Sequence, residues 1–365
     1  MNDPLRHVKS AVRAVAPYTL AARQAPVKVN QNENPYDLPE ALKRRVLEQA
    51  LLRPWSRYPE FDPRELLDKL ATFAGWRPDG VLAGNGSNEL IEALLLVTVG
   101  PQTRVVIPEP TFTLYGLLTR ILSGEVVPVP LDADLQYDAA ALRRARDEAT
   151  AAVTIVCSPN NPTGGVLALS EVERLCEGHD GLVVVDEAYH EFSGQSAVPL
   201  LRDHPNLIVL RTFSKAMALA GLRIGYLLAA PELVREVNKA RLPYNLNFLS
   251  QVAAIAAIED WPALKATVDR LTGLRDELAD ALRELPGVHP YPSRANFILF
   301  ELLEADPRRV FESLYRRGIL VRDVTAYPRL SRCLRVSVAS PDENQAFLGA
   351  LREALVECRE TVGRA

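Results

Sequence analysis

The sequence predicts an α/β protein: a large unit built on a mostly parallel sheet between helices, followed by a smaller α+β unit. Three observations carry this. From about Val81 to Ala230, short and nearly continuous apolar runs alternate with helical patterns, as strands do when crossover helices cover both faces of their sheet. After Ala230 the texture changes to long helical stretches and then to isolated strands. The 365 residues also suffice for two domains at about 150 residues each, with a core that removes roughly three quarters of the unfolded surface from water.

The elements follow in order. The N-terminal arm, up to about Asn34, has no long periodic pattern and is expected to pack on the smaller unit or on a partner chain. β-rich runs at 103–107, 125–129, 153–157, 182–185, 207–210 and 224–228 read as buried strands, with helical patterns at 88–99, 113–123 and 170–177 between them. A helical region covers 232–285, broken near Pro243 and Pro262. Strands are expected at 296–301, 319–322 and 333–338, a helix around 308–317, and a closing helix from Asp342. The divisions are then an arm at 1–34, a large unit at 35–240 and a small unit at 241–365.

Composition narrows the class. Forty-two Lys and Arg against 46 Asp and Glu give a net charge of −4, so no positive field gathers a nucleic acid. Cys157, Cys176, Cys333 and Cys358 are scattered, with no CxxC pair and no histidine at metal spacing. They read as small buried apolar residues in a cytoplasmic protein without a metal site. Asp3, Arg6, Lys9 and Arg13 interrupt any signal-peptide core, and the longest apolar run, 90–99, contains Glu92 and is too short to span a bilayer.

Four segments carry chemistry. Arg211-Thr-Phe-Ser-Lys215 follows an apolar strand, and the carboxyl end of such a strand is where open α/β sheets bind ligands. A lysine there is readily desolvated, which lowers its pKa and makes it a nucleophile toward a carbonyl; a surface lysine is the plain alternative. Ala220-Gly-Leu-Arg-Ile-Gly225 follows at once, so Ser214 and Arg223 could hold a phosphate between a hydroxyl and a guanidinium fork. Asp186 closes another buried strand, with Tyr189 three residues on. A buried carboxylate needs a partner, and a protonated pyridine nitrogen would serve; a helix cap or a magnesium ligand are the alternatives.

Cys157-Ser-Pro-Asn-Asn-Pro-Thr-Gly164 frames two asparagines between prolines, which holds Asn161 as a stiffly placed hydrogen-bond donor. Gly84-Asn-Gly-Ser-Asn88 opens a helix, where converging N–H groups favour an anion, although Ser87 or Asn88 could be a plain cap. It has neither a Walker lysine nor the third glycine of a dinucleotide loop. Together these segments supply what is needed to hold pyridoxal phosphate.

Asn-Pro-Thr-Gly, Asp-Glu-Ala-Tyr and Ser-Lys…Gly-Leu-Arg-Ile-Gly, in this order, resemble the fold-type I pyridoxal-phosphate aminotransferases. Asn30-Gln-Asn-Glu-Asn-Pro35, Arg57-Tyr-Pro59 and Cys333-Leu-Arg-Val-Ser337 narrow the resemblance to the histidinol-phosphate aminotransferases. That resemblance implies a seven-stranded sheet in the large domain and pyridoxal 5'-phosphate as cofactor. It implies transamination between histidinol phosphate and 2-oxoglutarate in histidine biosynthesis. Lys215 would hold the cofactor's aldehyde and later carry the proton. Asp186 would pair with the ring nitrogen, Asn161 and Tyr189 would face the phenolic oxygen, and Phe112 would stack on the ring. Gly86, Ser87, Asn88, Ser214 and Arg223 would hold the cofactor phosphate, with Tyr58 reaching it from the other subunit of a homodimer. Tyr18, Asn32, Arg322 and Arg335 would line the substrate side. A broad aromatic aminotransferase and a threonine-phosphate decarboxylase share these residues. A ligand-sensing regulator and a cofactor-free nucleotide-binding protein are disfavoured, the first because Lys215 is present and the second because neither phosphate-loop signature is.

Overall fold

A computed structural model describes residues 3–17 and 23–362. Seven strands form the large sheet in the order Val81–Gly84, Gly225–Ala229, Leu207–Thr212, Leu182–Asp186, Val153–Cys157, Arg104–Glu109, Glu125–Pro130. Gly225–Ala229 runs antiparallel to both its neighbours, and the other pairings along the sheet are parallel. The alternation of side chains sorts the apolar runs to two faces. Val81, Ala83, Val156, Val183, Val185 and Val209 pack on one face with the helices Glu40–Leu51, Arg64–Ala74 and Phe248–Glu259. Leu82, Val153, Ile155, Val184, Ile208 and Leu210 pack on the other with Ser87–Thr98, Leu114–Ile121 and Pro231–Asn238. Both faces are dry, so truncating a side chain such as Leu210 to alanine removes about 2–5 kcal/mol.

The smaller sheet is antiparallel, ordered Arg322–Asp323, Cys333–Ser337, Phe297–Leu302, Val288–Pro290. The helices Pro307–Arg316 and Pro341–Val362 lie against it. Trp261–Arg283 is one helix, with Pro262 in its first turn, where a missing N–H costs nothing. The stretch 319–322, expected as one strand, is two. Ile319–Leu320 pairs in parallel with Val27–Lys28 of the arm, and Arg322–Asp323 turns to pair with Cys333–Ser337. Val321 is buried at the crossover. The arm therefore contributes a strand to the small unit, and Val29 enters that unit's core.

Candidate active site

The parallel strands end on one side of the large sheet, and the chemistry-bearing segments leave from those ends. Asp186 ends one strand, Ser214 and Lys215 follow a second, Asn161 follows a third, Phe112 a fourth, and Gly86–Ser87 follow Val81–Gly84. The reversed strand Gly225–Ala229 explains Arg223. A parallel strand would begin at the far edge; this one begins at the near edge and so returns Arg223 to Ser214. Arg223 Nη1 donates to Ser214 Oγ at 3.1 Å. Arg223 itself has φ 52°, the left-handed conformation that turns the chain into this strand.

These segments enclose a cavity of about 230 Å³ whose walls include Asn32, Ser87, Asn88, Phe112, Asn161, Asp186, Tyr189, Ser214, Lys215, Arg223, Arg322 and Arg335. Gly86 stands behind it at φ 84°, and a Cβ there would lie 2.5 Å from Arg223 Nη2. A Cβ on Gly225 would lie 2.5 Å from the Ser87 nitrogen. Both glycines are therefore required for the two loops to close on one another. Tyr58 is 81% exposed, outside this cavity, and stacks on Tyr244 with centroids 4.5 Å apart. Tyr18 lies outside the described residues.

Lys215 Nζ donates to the backbone oxygen of Gln31 at 2.8 Å. Burial lowers its pKa to about 7, with the positive charge of Arg335 adding to the effect and Glu33 opposing it. Burial pushes the Asp186 carboxyl up to about 6, and a hydrogen bond from Tyr115 pulls it back down. Tyr189 accepts from Asn32 Nδ2 at 3.0 Å and sits edge-on to Phe297. Arg322 and Arg335 are paired residues across adjacent strands. Leu334 and Val336, which alternate with Arg335, point into the small unit's core. Arg335 donates to Asn161 Oδ1 and, at 2.8 Å, to the Asn30 backbone oxygen, and it lies over the Phe297 ring.

Several further wall residues have no role that the sequence assigns, although Asn30, Gln31, Cys157 and Thr212 lie inside the motifs. Tyr115, Cys157, Thr212, Asn30, Gln31 and Tyr327 also line the cavity. Asn30 and Gln31 act through backbone oxygens, which any residue supplies. Asn160, the other proline-framed asparagine, is structural: it accepts from Thr111 at 2.6 Å and donates to the Pro110 oxygen and to Thr163. Among the described residues no group of three or more His, Cys, Asp or Glu could hold a metal ion, and no helix is long and apolar enough to cross a membrane.

The family model for aminotransferase class I and II matches residues 25–351. A histidinol-phosphate aminotransferase of Chlorobium phaeovibrioides is 40% identical, over 96% of this chain and 97% of its own length. The solved histidinol-phosphate aminotransferase of Sinorhizobium meliloti, in complex with pyridoxal-5'-phosphate, superposes with a TM-score of 0.88 at 25% identity, covering 96% of this chain and 98% of that one. The L-threonine-O-3-phosphate decarboxylase of Porphyromonas gingivalis superposes at 0.80, also at 25% identity, covering 91% and 99%. Matched along nearly its whole length and at such identity, the chain belongs to the class I and II aminotransferases.

Proposed function

We propose that this enzyme transfers the amino group of L-histidinol phosphate to 2-oxoglutarate, forming imidazole-acetol phosphate and L-glutamate in histidine biosynthesis. The observation that carries the substrate is the Arg322–Arg335 pair, two cross-strand partners that both line the cavity. A phosphate monoester is a dianion that accepts two guanidinium forks.

The residues present fit pyridoxal 5'-phosphate, which this family uses. The floor of the cavity is a buried carboxylate, Asp186, with no cationic partner among the described residues; the amine of Lys215 is desolvated; and one corner gathers Ser214, Arg223 and a helix N-terminus. When bound, that group supplies an electron sink through which an amino group passes from one substrate to the next. Asp186 would balance the charge of its ring nitrogen, Asn161 and Tyr189 would serve its phenolic oxygen, and Phe112 would cover its ring. Gly86, Ser87, Asn88, Ser214 and Arg223 would hold its phosphate, with the helix dipole of Ser87–Thr98 in support. Lys215, with a pKa of about 7, is neutral in a large share of molecules at neutral pH. In that neutral form it would hold the group's aldehyde in the resting enzyme and, as a free amine, would serve as the base for the substrate's Cα proton.

The working unit of this reading is a cytoplasmic homodimer. Leu51, Leu52, Trp55, Tyr58, Leu242 and Tyr244 are exposed, and an exposed apolar surface of this kind is what a second copy would cover; Tyr58 then reaches the partner's phosphate corner. The division at 1–34, 35–240 and 241–365 belongs to the same reading, with one refinement. Helix Phe248–Glu259 packs in the large core, and Leu278 and Leu282 of Trp261–Arg283 pack in the small one, which supports a boundary between the two cores within that longer helix.

The test compares kcat/KM for histidinol phosphate, glutamate, phenylalanine and threonine phosphate in the wild type, Arg322→Ala and Arg335→Ala. Histidinol phosphate should be preferred. Arg335→Ala should damage both half-reactions, on the order of a hundredfold for a desolvated charge contact, and Arg322→Ala should hurt the phosphate substrate more than glutamate. Small, equal losses would return the arginines to a structural role and favour the broad aromatic aminotransferase. Carbon dioxide release from threonine phosphate would favour the decarboxylase.

A further inference from the structure

The strongest polar contact on Asp186 comes from Tyr115, which none of the motifs contains. Tyr115 Oη donates to Asp186 Oδ2 at 2.6 Å, and the Ala188 backbone nitrogen donates to Oδ1 at 3.0 Å. Alternation along Leu182–Asp186 puts Asp186 on the same face as Val184, and Val184 and Tyr115 share one core. The contact is therefore dictated by register and by the helix Leu114–Ile121 that crosses that face. The Tyr115 ring is fully buried and sits edge-on to Phe112, with centroids 5.5 Å apart, so it has no room to swing away. We propose that Tyr115 is a positioning residue, which fixes the direction of the Asp186 carboxylate and supports its charge, so that the helix packed on that face tunes the electron-withdrawing power of the site.

This rests on the reading that pyridoxal phosphate occupies the cavity. The other ionisable groups facing Asp186 are Cys157 and Tyr137, Glu187 beside it, and Tyr189. Burial pushes Cys157, Tyr137 and Tyr189 far up, so they stay neutral at working pH. Glu187 acts against the charge on Asp186. Glu187 is held by its own partners, Arg211 Nε at 2.9 Å and Ser196 Oγ at 3.0 Å. Among the described residues, Tyr115 is the only side chain that donates to Asp186. Burial also keeps its phenol protonated, so it remains a donor throughout. A hydrogen bond to a charged group in a dry site is among the stronger ones in a protein.

The test is Tyr115→Phe in the holoenzyme, which removes one oxygen and keeps the ring. Two quantities are followed against pH: the absorbance of the bound cofactor in the resting enzyme, and kcat. The acid-side transition of both should move up by about one pH unit, and kcat should fall about tenfold, the size of one hydrogen bond to a charged group. KM for histidinol phosphate should stay within about twofold. In an Asp186→Ala background the same substitution should add nothing, because its effect passes through that carboxylate. A 3-fluorotyrosine at 115, a stronger donor that preserves packing, should move the acid-side transition down, and it provides the test if Tyr115→Phe fails to fold. Unmoved absorbance and kcat in both variants, or an undiminished loss in the Asp186→Ala background, would overturn the inference. If the wild-type chain takes up no pyridoxal phosphate, the reading of the site fails; a cofactor band that is present but indifferent to residue 115 sinks this inference alone.

Discussion

Asp186→Asn should stabilise the cofactor-free protein while disabling the enzyme. In the folded chain the carboxyl titrates at about 6, against an ordinary value of 3.8, because burial disfavours its charge. The folded state thus binds the proton more tightly than the unfolded one. The penalty is absent below about pH 3.8, grows as the pH rises to about 6, and is complete above that. At about 1.4 kcal/mol per pH unit the full penalty is about 3 kcal/mol. Asparagine carries no charge and still accepts from Tyr115 Oη, but it turns an amide toward the Ala188 N–H that Oδ1 accepts from, a loss of about 1 kcal/mol. The net gain is about 2 kcal/mol at pH 8. With about 2 cal/mol/K of unfolding entropy per residue, a chain of 365 residues should melt about 3 °C higher. The assay is scanning calorimetry of protein stripped of cofactor with hydroxylamine, wild type against variant, at pH 8 and pH 5. The advantage should shrink at the lower pH. With pyridoxal phosphate added the order should reverse, because the wild type alone offers the ring nitrogen a counter-charge. A stripped variant less stable than the wild type at pH 8 would refute the reasoning, since the carboxylate would then already be well paired.

Four further outcomes follow from the geometry. Cofactor capture by stripped protein should speed up as the pH rises through about 7, where Lys215 loses its proton, and then level off; a rate still climbing at pH 10 would mean an ordinary lysine. Lys215→Ala should keep the fold, measured by circular dichroism, but lose turnover and borohydride-fixed cofactor. Gly86→Val places a branched side chain at φ 84° against Arg223 and should weaken cofactor binding at least tenfold by equilibrium titration, with the melting temperature of stripped protein changing less. Inactive Tyr58→Ala and Lys215→Ala chains, mixed and reassembled, should regain part of the activity if Tyr58 serves its partner; dead mixtures in which heterodimers are shown to form would place it elsewhere.

Much of the large sheet was readable because its strands are buried on both faces and so appear as unbroken apolar runs; 153–157 coincides with the observed strand. Val81–Gly84 is harder, being four residues that end in glycine. The 319–322 strand was misread as one element because alternation cannot show a change of partner. The sequence marks residues that act through distinctive side chains at strand ends: Asp186, Asn161, Ser214, Lys215 and Arg223 all line the cavity. Tyr115 was invisible for the opposite reason. A tyrosine in a helix among Leu114, Leu117 and Leu118 reads as core, and it is core except for one oxygen.

The arm finds its partners late, far along the chain from its own position. The Gln31 oxygen meets Lys215, 184 positions further along, and the Asn32 amide meets Ser337, 305 positions further along. At synthesis rates of about 5–20 residues per second, the arm leaves the ribosome roughly 15 to 60 s ahead of Ser337. The large sheet, complete by Ala229, can close in that interval, but the wall that desolvates Lys215 cannot. A chain stalled in that interval should therefore hold a formed sheet and an ordinary, water-exposed lysine. Desolvation of Lys215 therefore waits for the strands of the small unit: a ribosome-stalled product ending before Ile319 should fold its sheet and show no cofactor absorbance band.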